Sequence, residues 1–172
     1  MVSRFEVLAI AAVLGGMAPP VQAATPGVAS KFSELSAADV ARLDRQRGVV
    51  ATLLKRRYGV PSLAKTKADV PSLQRLLDDH AFAVTQTYEL QCLGVAFGDI
   101  LVSELGLRWV IVTDDYGRDP TLRFGETTIQ INALTMISKR IERGEAVDLA
   151  VLLAKTREAL TNARAELQRP RH

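Results

Sequence analysis

Residues 90–145 read LQCLGVAFGDILVSELGLRWVIVTDDYGRDPTLRFGETTIQINALTMISKRIERGE. In the first part Leu90, Leu93, Phe97, Ile100, Leu101 and Leu105 form a broad apolar face at a 3.6-residue period. Val95 and Val102 carry that face almost round the cylinder. The spacing predicts a core helix from about Thr85 to Leu105, ended by Gly106. The period then changes to two. Trp109 and Ile111 alternate with Val110 and Val112, apolar on both faces, which predicts a covered strand over 108–113. Residues 114–120 are dense in turn formers. Residues 121–124 and 127–132 are strand-like, and Gly125-Glu126 between them fits a tight type II′ hairpin turn. Along the last strand Thr127, Ile129 and Ile131 alternate with Thr128, Gln130 and Asn132, so one face is wet. The pattern predicts a three-stranded antiparallel meander.

On the C-terminal side, Asn132 is placed to cap a helix with Leu134, Ile137 and Ile141 inward and Lys139, Arg140 and Arg143 outward, ending at Gly144. Helical spacing returns from Asp148 through Leu149, Leu152, Leu153, Leu160, Ala163 and Leu167. On the N-terminal side, Ser36 with Asp39 makes a capping arrangement. Val40, Leu43, Val50, Leu54 and Tyr58 then share one face of a helix that stops at Gly59. Lys55-Arg56-Arg57 complement that helix's dipole, or, on a sharper reading, face an anionic envelope surface. After a connector, Pro71 opens a short helix with Leu73, Leu76 and Leu77 inward, and Asp78-Asp79-His80 is its exit. The class is α+β, helix-helix-helix-strand-strand-strand-helix-helix, with the helices on one face of the sheet. One domain is expected over 36–168, behind a flexible lead-in over 24–35.

Residues 1–23 read as a signal peptide. Arg4 gives a positive start, Val7 to Met17 an apolar run, and Val21-Gln22-Ala23 a small-residue cleavage site. The run falls well short of the roughly 20 residues needed to span a bilayer, and no cysteine follows it to carry a lipid. The expected product is periplasmic or secreted, with no transmembrane segment in the mature chain. Arg4 and Glu6 leave together, so the formal net charge stays at +3, too small an excess of base for a nucleic-acid partner. Cys92 is the only cysteine, which excludes an internal disulfide. With only His80 and His172 as imidazoles, the sequence points to no metal site and no cofactor.

The runs LQCLGVAFGDILVSELGLRWVIV, DDYGRDP and LTMISKRIERGE together resemble a bacterial domain-of-unknown-function family, number 3806. The resemblance covers about a third of the chain closely, with Leu-Gly, Gly-Asp, Trp and the acidic turn recurring in order. It implies an exported or envelope protein of a Gram-negative bacterium, and it carries over no catalytic residues. Ala133 stands where the family pattern would open the helix with proline.

Asp99 is the residue that most needs an explanation. A carboxylate on so apolar a helix must be solvated, paired or hydrogen-bonded. The structural reading pairs it with a nearby arginine or a backbone group; the functional one makes it a catalytic or binding carboxylate. Gly94 and Gly98 let a second backbone approach closely, and their place inside a helix excludes a phosphate loop. Asp114, Asp115 and Asp119 lack the spacing of a calcium loop, and Asp114 with Arg118 or Arg123 is a candidate cross-turn ion pair. Cys92 reads as a buried small hydrophobe. Trp109, Asp114, Arg118 and Arg140 are the candidate binding residues. The function expected from this set is a non-catalytic envelope module that binds a protein partner or an anionic surface polymer. The alternative is a small periplasmic hydrolase using Asp99 as its acidic group.

Overall fold

A computed structural model describes residues 31–115 and 117–169. The expected leader and most of the lead-in lie outside the described residues. In chain order the elements are β1 (Lys31–Ser33), α1 (Ala37–Tyr58), α2 (Val70–Asp78), α3 (Thr87–Leu105), β2 (Leu107–Asp114), β3 (Gly117–Phe124), β4 (Gln130–Ile131), α4 (Ala133–Met136), α5 (Ser138–Glu142) and α6 (Leu149–Gln168), with a 3₁₀ turn at Lys67–Asp69 before α2. The class is α+β. The sheet is antiparallel, but it has four strands in the order β1-β2-β3-β4 rather than three. The added strand comes from the expected lead-in: Lys31, Phe32 and Ser33 pair with Thr113, Val112 and Ile111. Three residues with one apolar side chain carry no readable period, so this strand exists because β2 offers it an edge.

Two further differences concern the sheet and the helix after it. β3 begins at Gly117, inside the expected turn, and Pro120 lies opposite Ile111. β4 joins β3 only at Leu122 and Arg123, so the proline stands where β3 is still an edge and needs no N–H on that side. Gly125 has φ +52°, and Thr127 N donates to Phe124 O as a tight turn requires. Phe124 N, however, donates to Ile129 O, so the loop spans residues 125–128 and the strand restarts later than expected. Arg123 holds this longer loop, donating Nε to Thr127 O (2.7 Å) and Nη2 to Glu126 O (2.7 Å).

The helix expected after Asn132 is broken into α4 and α5. Arg140 Nη1 donates to Met136 O at 2.6 Å, while the Arg140 backbone N–H turns to Ile137 O. A guanidinium therefore takes the carbonyl that the helical ladder would have used. Arg140 is half-buried by this contact, not outward as expected.

α3 runs through the core. Every residue from Cys92 to Leu101 is buried, and α1 packs along it. Leu43, Val50 and Leu54 are fully buried as expected, whereas Val40 is 42% exposed. Asp39 takes the inward position at that end of α1, and Val40, about 100° further round the helix, is turned to water. Gln46 is buried on α1 with no hydrogen-bond partner for its amide among the described residues, and nothing in the structure explains it.

Candidate functional site

Asp99 lies at the junction of α1, α3 and β2. Arg47 on α1 donates Nε to Oδ2 (2.6 Å) and Nη2 to Oδ1 (2.7 Å), and Trp109 on β2 donates Nε1 to Oδ1 (2.9 Å). The third guanidinium nitrogen, Nη1, bonds Asp44 at 2.8 Å. The hydrogen bond to Asp99 raises the Arg47 pKa above its ordinary value, against the lowering effect of burial. Bidentate contact fixes both distance and plane. The result is a brace that joins two helices and a strand through one buried carboxylate.

The two glycines belong to the same brace. A Cβ on Gly98 would lie 2.5 Å from Trp109 Cζ2, and one on Gly94 would lie 2.5 Å from Leu134 O and 2.6 Å from Ala133 O. Gly98 therefore makes room for the indole whose N–H the next residue, Asp99, accepts. Gly94 lets the α4 backbone press against α3. Ala133 is fully buried at this contact. Trp109 is half-buried, over Gly98 and opposite Leu122, and packs against the core.

A second bidentate pair ties the sheet to the start of α1. Arg118 donates Nη1 and Nη2 to Asp39 Oδ1 and Oδ2, both at 2.7 Å. Asp39 also closes the capping box, accepting from Ser36 N (2.8 Å) and Ser36 Oγ (2.6 Å). The Arg118 hydrogen bonds, then those of Ser36, hold the Asp39 carboxyl well below the usual carboxylate range. Arg123 pairs with Glu126 at 3.0 Å, and Arg108 with Glu34 and Glu126. Asp114 is half-buried at the end of β2, opposite Gly117. Burial pushes the Cys92 thiol up, consistent with an inert hydrophobe. Among the described residues no group of three His, Cys, Asp or Glu side chains is placed to hold a metal ion, and no helix is long and apolar enough to cross a membrane.

Neither Asp99 nor the candidate binding residues Trp109, Asp114, Arg118 and Arg140 line an apolar cleft beside α2. That cleft, about 590 Å³, lies between the end of α2, the α2–α3 loop and the α5–α6 loop. Leu76, Leu77, Phe82, Leu90, Ile141 and Val147 supply its apolar lining; Asp78, His80 and Glu145 are its titratable groups. Gln74 fixes one wall. Its Nε2 donates to Val147 O (3.0 Å) and Asp78 Oδ1 (2.8 Å), and its Oε1 accepts from Leu149 N (2.8 Å). The α5–α6 loop is thus stapled to α2, and the cleft is formed before anything enters it.

His80, in sequence a helix exit, lines the edge of this cleft. Ala81 N donates to Leu76 O and His80 N to Leu77 O, closing α2 with His80 at φ +47°. The left-handed conformation costs a side-chain-bearing residue about 1 kcal/mol. Elsewhere the chain ends helices with glycine in this state, at Gly59, Gly106 and Gly144. It departs from that habit at His80, which lines the edge of the cleft. The available signal is that Asp78-Asp79-His80 holds no glycine where the exits of α1, α3 and α5 do.

These features define an α+β domain in which a long buried helix is braced to a four-stranded antiparallel sheet and an apolar cleft is left beside it. Residues 69–152 match the family described as "Domain of unknown function (DUF3806)". The matched residues include the whole cleft, the glycines, Asp99 and Trp109; Arg47 and Asp39 on α1 lie outside them. The fold is also similar to a crystal structure from Bacteroides thetaiotaomicron VPI-5482, with a TM-score of 0.68 at 14% identity over 76% of this chain and 48% of that one. The likeness shows the fold alone, and this chain spans about half the length of that relative. No curated protein matches the chain.

Proposed function

We propose that the protein is an exported, non-catalytic binding module of the bacterial envelope, with the stapled cleft as its ligand seat. One contrast carries this reading: the buried carboxylate is fully engaged, whereas the cleft is open, preformed and apolar. A general acid or base must exchange its proton with a substrate. Both Asp99 oxygens accept from Arg47, and Oδ1 also accepts from Trp109, which leaves the hydrolase alternative without a free acid at that position. A cleft of this volume falls in the range of small-ligand sites, which are mostly apolar with a few placed polar groups. His80 at its edge is a side chain held in a costly conformation, a feature that concentrates at functional sites.

The binding part is tested by titrating isotope-labelled protein with 1-octanol and following backbone amide resonances. Shifts confined to Leu77, His80, Ala146 and Val147, abolished by Ala146→Trp at the cleft wall, are expected. Shifts elsewhere, or none, overturn the seat. Export is supported by the charged and apolar leader with its Val21-Gln22-Ala23 step. Intact-mass measurement of protein from a periplasmic fraction should begin at Ala24; a retained Met1 in cytoplasmic material contradicts export.

A further inference from the structure

We propose that the cleft selects a small amphiphile whose head is a protonated amine, seated over Asp78 with Glu145 beside it and its apolar body on Leu76, Leu90 and Ile141. The inference rests on the cleft being the ligand seat and adds the chemistry it takes. The charged residues among its lining are Asp78 and Glu145, with no lysine or arginine. Gln74 occupies Asp78 Oδ1 and orients the carboxylate, leaving Oδ2 for a ligand among the described residues. Glu145 is partly neutralised by Arg143, whose Nε lies 2.6 Å from its Oε1, and by the nearby charge of Arg140, so Asp78 supplies the larger share of the attraction. His80 lines the same edge. An anionic head would meet two carboxylates with no cation among the lining residues, and a neutral head would gain only hydrogen bonds. A protonated amine is both donor and counter-charge, and hydrogen bonds to charged groups are roughly twice as strong as neutral ones.

The experiment compares octylammonium, 1-octanol and octyl sulfate, all below micelle-forming concentration, on the same cleft amide resonances. Octylammonium is expected to bind at least tenfold more tightly than 1-octanol, and octyl sulfate more weakly than either. Asp78→Asn, which keeps the oxygen that accepts from Gln74, should remove most of the ammonium preference, and Glu145→Gln a smaller part. If 1-octanol binds the cleft but octylammonium binds no better, this inference fails and the seat stands. If the preference survives both substitutions, the cation is held elsewhere and the inference fails. If none of the three compounds shifts the cleft amides, the seat itself fails.

Discussion

The brace around Asp99 and the cleft beside His80 lie in one fold but obey opposite rules. In the brace every departure from a good helix is explained by a neighbour: Gly94 and Gly98 sit where a Cβ would collide, and the carboxylate of Asp99 accepts three N–H bonds. In the cleft the departure lies in the backbone. His80, which closes α2, shares with Lys65 in the preceding connector a left-handed position that glycine fills at the ends of α1, α3 and α5, and the space beside His80 is open. The comparison teaches that a residue kept for the fold makes sense within the molecule, whereas one kept for a ligand is costly until the ligand is counted.

If this division is right, the largest loss of stability comes from the brace. Asp99→Asn keeps the volume and removes the charge, leaving half-buried Arg47 with the exposed Asp44 in place of its buried counter-ion; a loss of about 3 kcal/mol is expected by chemical denaturation. Gly98→Ala drives a methyl into the Trp109 ring and should cost about 2 kcal/mol by the same measurement, with a shift in tryptophan fluorescence. An unchanged midpoint for either would mean that the brace is loose. Gly125→Val is a smaller test. Its Cβ would meet open space, so only the φ of +52° resists it, at about 1 kcal/mol.

His80→Gly should act in the opposite direction. Relief of the left-handed conformation is expected to raise stability by about 1 kcal/mol while weakening cleft binding. A loss of stability would show that His80 serves the fold, and the contrast between the two regions would dissolve. The smallest effect is on pH dependence. The folded pKa of Asp39 is depressed, so its contribution is fully present above the ordinary carboxylate value of about 4 and declines as pH falls below it. Thermal melts between pH 5 and pH 2 should therefore fall less steeply for Asp39→Asn than for the wild type. Equal slopes would show that Arg118 does not hold the carboxylate.

The brace was more legible in the sequence than the cleft, for a physical reason. Helix caps at Ser36, Gly59 and Gly106, the change of period at Trp109, and the demand of Asp99 for a partner are local facts. The identity of that partner is not, because the register of α1 on α3 decides which arginine arrives. The same limit hid β1, which pairs only because β2 has a free edge, and the break between α4 and α5, made by the Arg140 guanidinium. The candidate binding residues Trp109, Asp114, Arg118 and Arg140 were singled out for chemical type, and the fold disperses them over the strands and α5. The cleft is assembled from ordinary leucines and loop residues, with no local pattern to mark it.

One paired titration separates a brace that holds the fold from a cleft that holds the ligand. Folded Asp99→Asn and Ala146→Trp proteins are titrated with 1-octanol beside the wild type. An affinity within about twofold of wild type is expected for the folded Asp99→Asn protein, and at least tenfold weakening for Ala146→Trp. A stable Asp99→Asn protein that no longer binds, beside an Ala146→Trp protein that does, would contradict this division.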